Sequence, residues 1–148
     1  MGTEDIDFVG RNYPEHCIVQ KRFNDLDGLR HVNNGVQQSY FDIGRANYLK
    51  RIYGEKFYYN DQVLLVASYT TDFISQIRLE DEVEVCTSVV KLGNKSLRLA
   101  QVIRGVEDKK IYTRSLSVMV AIETKEGKSI PIPEEWREKI RTIEGDEL

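Results

Sequence analysis

The spacing of hydrophobic and polar positions changes period along the chain, and the changes mark its elements. Residues 15–23 have strand composition and run into a stretch rich in Asn, Asp and Gly, residues 24–35, that reads as turns. From Val36 to about Tyr53 the period becomes helical. Tyr40, Gly44, Tyr48 and Ile52 recur at i+4, and Phe41 and Leu49 widen the stripe. Asn33 or Asn34 predicts the N-cap and Gly54 the stop. Gly44 inside a helix costs about 1 kcal/mol relative to alanine, which predicts a close approach of the helix to a sheet. Downstream, residues 62–73, 82–92, 96–106 and 110–123 read as strands. The short connections at residues 93–95 and 107–109 join the last three as an antiparallel meander. Val83, Val85 and Val89 alternate with Glu82, Glu84 and Ser88, as expected of a strand with one buried face. Residues 134–143 predict a short helix, with Pro133 at its first turn. One long helix over one antiparallel sheet is an α+β architecture.

Composition narrows the class. At 148 residues, 41% hydrophobic and 30% charged, the chain is expected to form one domain, residues 1–148. Residues 1–14 read as a polar N-terminal arm and residues 134–148 as a C-terminal helix and tail. A net charge of −3 argues against a binder that works by neutralising nucleic-acid phosphates. Neither a membrane-length apolar run nor a signal-peptide pattern occurs, so a cytoplasmic location is expected. On that basis the terminal Gly145-Asp146-Glu147-Leu148 reads as a chance match to a retention tail, and Asn94-Lys95-Ser96 reads as a hairpin turn rather than a glycosylation site. Cys17 and Cys86 lack metal or redox spacing and read as reduced, partly buried thiols.

Most of the suggestive polar groups fall just before the long helix: Asp25, Asp27, His31, Asn33 and Asn34. The first amides of a helix lack intrahelical acceptors, and with the helix dipole they stabilise a nearby oxyanion. A carboxylate beside them can activate water or attack a carbonyl. Turn hydrogen bonds and capping explain the same residues without chemistry. A divalent ion on Asp25, Asp27 and His31 is a third reading, weakened by the absence of a second ligand cluster; His16 stands alone in a strand. Serine-hydrolase, phosphate-loop and zinc-protease motifs are missing.

Taken together, Arg22-Phe23-Asn24-Asp25-Leu26-Asp27, His31-Val32-Asn33-Asn34, Tyr40-Phe41 and Arg45 resemble the signature of the hot-dog thioesterases of the 4-hydroxybenzoyl-CoA thioesterase group. The same run is similar to plant acyl-carrier-protein thioesterases. The resemblance implies a long helix wrapped by a curved antiparallel sheet of about five strands. It also implies a homo-oligomer (a dimer or dimer of dimers) and cofactor-free hydrolysis of acyl-CoA or acyl-carrier-protein thioesters. It places Asp27 as base or nucleophile, His31 and Asn33 as further catalytic groups, and the Asn34 and Gly35 amides as oxyanion donors. The chain departs from the pattern at Arg30, where the bacterial branch has glycine, at Leu29, where the plant branch has asparagine, and at Glu80-Asp81, where Gly-Asp is common. For substrate phosphates, the basic group Lys91, Lys95, Arg98 and Arg104 is the candidate, with Lys95 and Arg98 the expected contacts. The alternative from another class is a non-catalytic hot-dog protein that binds an acyl carrier or serves assembly.

Overall fold

A computed structural model describes residues 5–56 and 60–148, so the first four residues of the expected arm lie outside the described residues. Within them the order is β1 (Glu15–Ile18), α1 (Asn34–Tyr53), β2 (Gln62–Phe73), β3 (Val83–Leu92), β4 (Ser96–Gly105), β5 (Ile111–Glu123) and α2 (Glu134–Glu144). The strands form one antiparallel sheet in the order β1-β3-β4-β5-β2. Its curved face wraps α1, which is the hot-dog fold expected from the sequence. No described helix is long and apolar enough to cross a membrane.

The first strand is shorter than its composition predicts. After Ile18 the chain leaves the sheet, and residues of the expected strand's end instead enter a short 3-10 turn, Phe23–Asp25. The cause is Asp25, whose carboxylate accepts from the backbone N–H of Arg22 and closes the turn.

Side chains paired across neighbouring strands share a face of the sheet. On the inner face, under α1, one rung runs Thr87, Gln101, Ser115, Thr71 from β3 to β2. This rung is polar, and the helix answers it. Gln101 Nε2 donates to the carbonyl of Phe41 at 3.0 Å and to Thr87 Oγ1 at 2.9 Å, while its Oε1 accepts from Arg45 Nη1 at 3.0 Å. Gln38 Nε2 donates to Thr71 Oγ1 at the other end. Gly44 lies directly over the rung: a Cβ built there would stand 2.7 Å from Thr87 Oγ1 and 2.9 Å from Gln101 Nε2. The glycine is required by that approach, as its position in the helix predicted.

Apolar clusters flank the rung. Toward the β3–β4 hairpin, Tyr48, Ile52, Leu97, Leu99 and Met119 pack with Trp136 and Ile140 of α2. Toward the helix N-terminus, Tyr40, Phe41, Val83, Val85 and Ile103 pack with Val32 and Ile77. On the outer face Phe8 and Tyr13 cover Cys86, Ala100 and Val102, so the N-terminal arm is apolar where it touches the sheet. The edge of β3 beyond β1 is closed by α2. Glu144 accepts from Val89 N at 2.7 Å, Ser88 Oγ at 2.8 Å and Tyr48 Oη at 2.6 Å. The opposite edge is β2, whose only strand neighbour among the described residues is β5.

Candidate active site

The segment between Asp25 and Asn33 is a miniature hairpin. Leu26 bridges Val32, Asp27 N donates to His31 O at 2.8 Å, and Asn33 N donates to Asp25 O at 2.9 Å. Its tip, Gly28-Leu29-Arg30, closes with Arg30 N donating to Asp27 O at 3.0 Å, and Arg30 takes φ +66°. A three-residue hairpin loop needs a left-handed residue at its last position, which glycine fills at least cost. The departure at Arg30 therefore falls on a strained position. Val32 N donates to Ile77 O and the Val32 side chain is buried, which anchors the hairpin to the body.

The two aspartates divide in role. Asp25 is 2% exposed and fully engaged: Oδ1 accepts from Arg22 Nε and Nη2, and Oδ2 from Arg22 N and, at 2.6 Å, from Tyr40 Oη. Burial alone would raise its pKa, but the Tyr40 hydroxyl and the Arg22 amide and guanidinium hold the carboxyl below the usual range. Arg22 is the ion partner of Asp25; Arg30 is not. Asp27 is exposed, with Oδ1 accepting from Leu29 N at 2.9 Å and His31 N at 3.2 Å. Its Oδ2 has no partner among the described residues, so a rotationally fixed carboxylate presents one free oxygen.

Asp27 borders a cleft of about 660 Å³, lined with it by Leu29, His31, Asn33, Asn34 and Gln37 on one side and residues 73–76 on the other. The cleft thus brings together Asp27, His31, Asn33 and the first residue of α1. Asn33 is the N-cap, its Oδ1 accepting from Gly35 N at 2.7 Å. The Gly35 amide, expected as an oxyanion donor, is thereby committed to the cap and is free only if the cap opens. The Asn34 amide has no acceptor among the described residues. Gln37, which the sequence reading passed over, also lines the cleft, buried and accepting from Thr113 Oγ1. A polar residue on the buried stripe of a helix was the one signal available for it.

The expected phosphate group does not assemble here. Lys95 sits in the β3–β4 turn and Arg98 faces outward from β4, paired with Val118. The cleft borders Phe73, whose partner on β5 is Thr113. Val118 is five steps along β5 from Thr113, roughly 17 Å. Arg104 lies at the far end of β4 and is tied to Glu84 at 2.9 Å. Strand pairing keeps Lys91 opposite Arg98 with Lys95 in the turn beside them, away from the cleft, and sets Arg104 apart. Among the described residues no cluster of three or more His, Cys, Asp or Glu side chains is arranged to hold a metal, and Asp25, of the suggested ligand set, is closed off by Arg22 and Tyr40.

A model of the thioesterase superfamily matches residues 29–112, more than half of the chain. The chain belongs to this superfamily. It is 35% identical to a Thermus thermophilus thioesterase solved with coenzyme A and zinc, with a TM-score of 0.81 over 92% of this chain and 98% of that one. A 1,4-dihydroxy-2-naphthoyl-CoA thioesterase from Synechocystis shares the fold at 18% identity, TM-score 0.74, covering 85% of this chain and 94% of its own. The uncharacterized Bacillus subtilis protein YsmA is 27% identical over 123 residues, 82% of each chain. Membership and these thioesterase neighbours support thioester hydrolysis in general terms.

Proposed function

We propose that the protein is a cytoplasmic acyl-CoA thioesterase in which Asp27 attacks the thioester carbonyl or activates the water that does. The observation that carries this reading is the joint presence, in one cleft, of a carboxylate fixed by two backbone N–H groups and an unpaired amide at a helix N-terminus. The carbonyl oxygen faces Asn34 N–H, where helix dipole and amide favour the developing negative charge. The carbonyl carbon then lies toward Asp27 Oδ2. As base, Asp27 takes a proton from water, whose oxygen bonds to the carbon; collapse of the tetrahedral intermediate breaks the C–S bond and the thiolate leaves. His31 and the Asn33 side-chain amide border the same space and are the polar groups available to the departing sulfur and the water. Coenzyme A as carrier is supported by the 35% identical neighbour crystallised with it.

The same reading includes a homodimer joined along β2. This twelve-residue edge is exposed and carries Leu65, Tyr69 and Phe73, with Ile74 directly after it, all large apolar side chains at 43–53% exposure. A long apolar edge strand is an aggregation site unless it is paired. Pairing two copies there would bring the partner against residues 73–74, one wall of the cleft.

Asp27→Asn keeps the shape and removes both base and nucleophile. It is expected to lower kcat for acyl-CoA by a factor of about 10² to 10⁴, the range of general-base loss, with a native circular dichroism spectrum. Near wild-type turnover in that variant, measured by thiol release, overturns the assignment.

A further inference from the structure

A second opening meets the first at Asp27. It measures about 420 Å³ and is lined by Phe23, Leu26, Asp27, Arg30, Leu79 and Glu80. Its character is opposite to that of the first: three of its six lining residues are large and apolar, and Phe23 is 78% exposed, an aromatic ring with nothing over it. A thioester whose carbonyl carbon sits at Asp27 has two arms to place. The carrier arm is a pantetheine chain with two amides that need hydrogen-bond partners, and the first cleft offers His31, Asn33, Gln37, Ser75 and Gln76. The acyl arm falls to the apolar opening.

One feature of that opening does not suit a plain alkyl chain. Arg30 stands in its wall, exposed, and its guanidinium has no hydrogen bond or ion pair among the described residues. It also sits at the left-handed position of the hairpin, where a side chain is a burden that glycine would avoid. Arg30 is three residues from Asp27 and hydrogen-bonded to it through the backbone. That is too near the reacting carbon to meet the carrier's phosphate, which lies at the far end of the extended pantetheine arm. An anion a few bonds beyond the carbonyl is within its reach. Resting on the hydrolase reading above, we propose that this opening binds the acyl group, and that Arg30 recognises a carboxylate at its far end. The preferred substrates are then short acyl thioesters bearing a terminal carboxylate. Phe23, Leu26 and Leu79 cover the intervening methylenes. Glu80 is the opposing charge in the same wall and limits the affinity for such anions.

The test compares glutaryl-CoA with pentanoyl-CoA, equal in chain length and different in terminal charge, on wild type, Arg30→Gly and Glu80→Gln. Arg30→Gly relieves the left-handed backbone, so it is expected to fold with an unchanged or higher Tm. Wild type should favour glutaryl-CoA in kcat/KM. Arg30→Gly should lower that ratio about tenfold or more, the scale of one charge-assisted hydrogen-bonded pair, with the larger loss falling on glutaryl-CoA. Glu80→Gln should raise it. A ratio unmoved by Arg30→Gly, or an equal loss on both substrates, overturns the proposal while leaving the hydrolase intact. A folded wild type inert toward both overturns this inference; inertness toward a wider panel of long-chain and aryl acyl-CoA thioesters as well removes the hydrolase reading with it.

Discussion

Tyr40→Phe removes one hydroxyl and leaves the ring that packs beside Phe41 and Val32. The hydroxyl donates at 2.6 Å to Asp25 Oδ2, a carboxylate that is 2% exposed. A hydrogen bond to a charged group contributes about 1.5–3 kcal/mol. Three donors from Arg22 remain, two of them on an exposed guanidinium, so the loss should fall near the middle of that range, about 2 kcal/mol. For a chain of this length that is a fall in Tm of about 4–8 °C. The pH dependence separates a lost hydrogen bond from lost packing. Because Asp25 is held below its ordinary pKa, the stability it confers is present above the unfolded value, about 3.9, and disappears as pH falls through the lower folded value. Without Tyr40 the depression is smaller. The gap in Tm between wild type and variant should therefore be full at neutral pH and close below about pH 4. Thermal melts by circular dichroism across that range are the assay. Equal stability at neutral pH refutes the hydrogen-bond account, and a gap that persists undiminished in acid assigns the effect to packing.

Gly44→Ala gains about 1 kcal/mol of helix propensity but drives a methyl group into Thr87, Gln101 and Val85 at roughly the 1–3 kcal/mol cost of core overpacking, and should be destabilised by up to about 2 kcal/mol net in denaturant titration; a more stable variant would mean the helix does not press on the sheet. The wild type is expected to sediment as a dimer, and replacing Leu65 and Tyr69 with lysine to leave a folded 17.2 kDa monomer; a wild-type monomer at micromolar concentration, or a dimer that survives both changes, excludes pairing along β2. Neutralising Lys95 and Arg98 should leave KM for acyl-CoA unchanged if each subunit's cleft is served by its own chain, since Arg98 faces the outer side of the sheet, away from α1, and Lys95 lies in the β3–β4 turn; a rise in KM would show that a partner subunit brings them to the carrier.

Where local chemistry decides structure, the residues were readable. The i+4 stripe through Tyr40, Gly44, Tyr48 and Ile52 located α1 because only one helical face meets the sheet, and β2 matched its expected limits. Gly44 announced the close approach because nothing else explains a glycine in that stripe. What failed was longer in range. The strand composition of residues 19–23 lost to a single carboxylate, since one buried Asp25 with four donors outweighs the weak preference of its neighbours for an extended chain. The cation group was legible as a hairpin cluster, Lys91 opposite Arg98, but not its position relative to the cleft, which depends on how the strands lie under α1; Arg104 alone falls at the other end of β4. Arg30 was visible as a departure from a pattern, but its meaning needed a dihedral angle.

The buried polar rung under α1 connects the fold to the cleft. An apolar helix face on an apolar sheet can slide by a turn at little cost, because ridges and grooves repeat. Gln101, itself held by Thr87 on β3, prevents this by binding Phe41 O and Arg45 of the helix at once; a shift along the helix axis breaks both bonds, each loss costing about 1–3 kcal/mol. Thr113 on Gln37 adds a second fixed point one turn closer to the N-terminus. The helix end at Asn33 and Asn34 is thereby set against β5, while the hairpin that carries Asp27 is set against the same helix by Tyr40 and Asp25. Both halves of the candidate machinery, amide and carboxylate, hang from one rigid element by short routes. That arrangement suits a site whose function depends on holding an oxygen and a helix terminus on opposite sides of one carbon, and it explains why polar residues occupy a position where apolar packing alone would have been sufficient for stability.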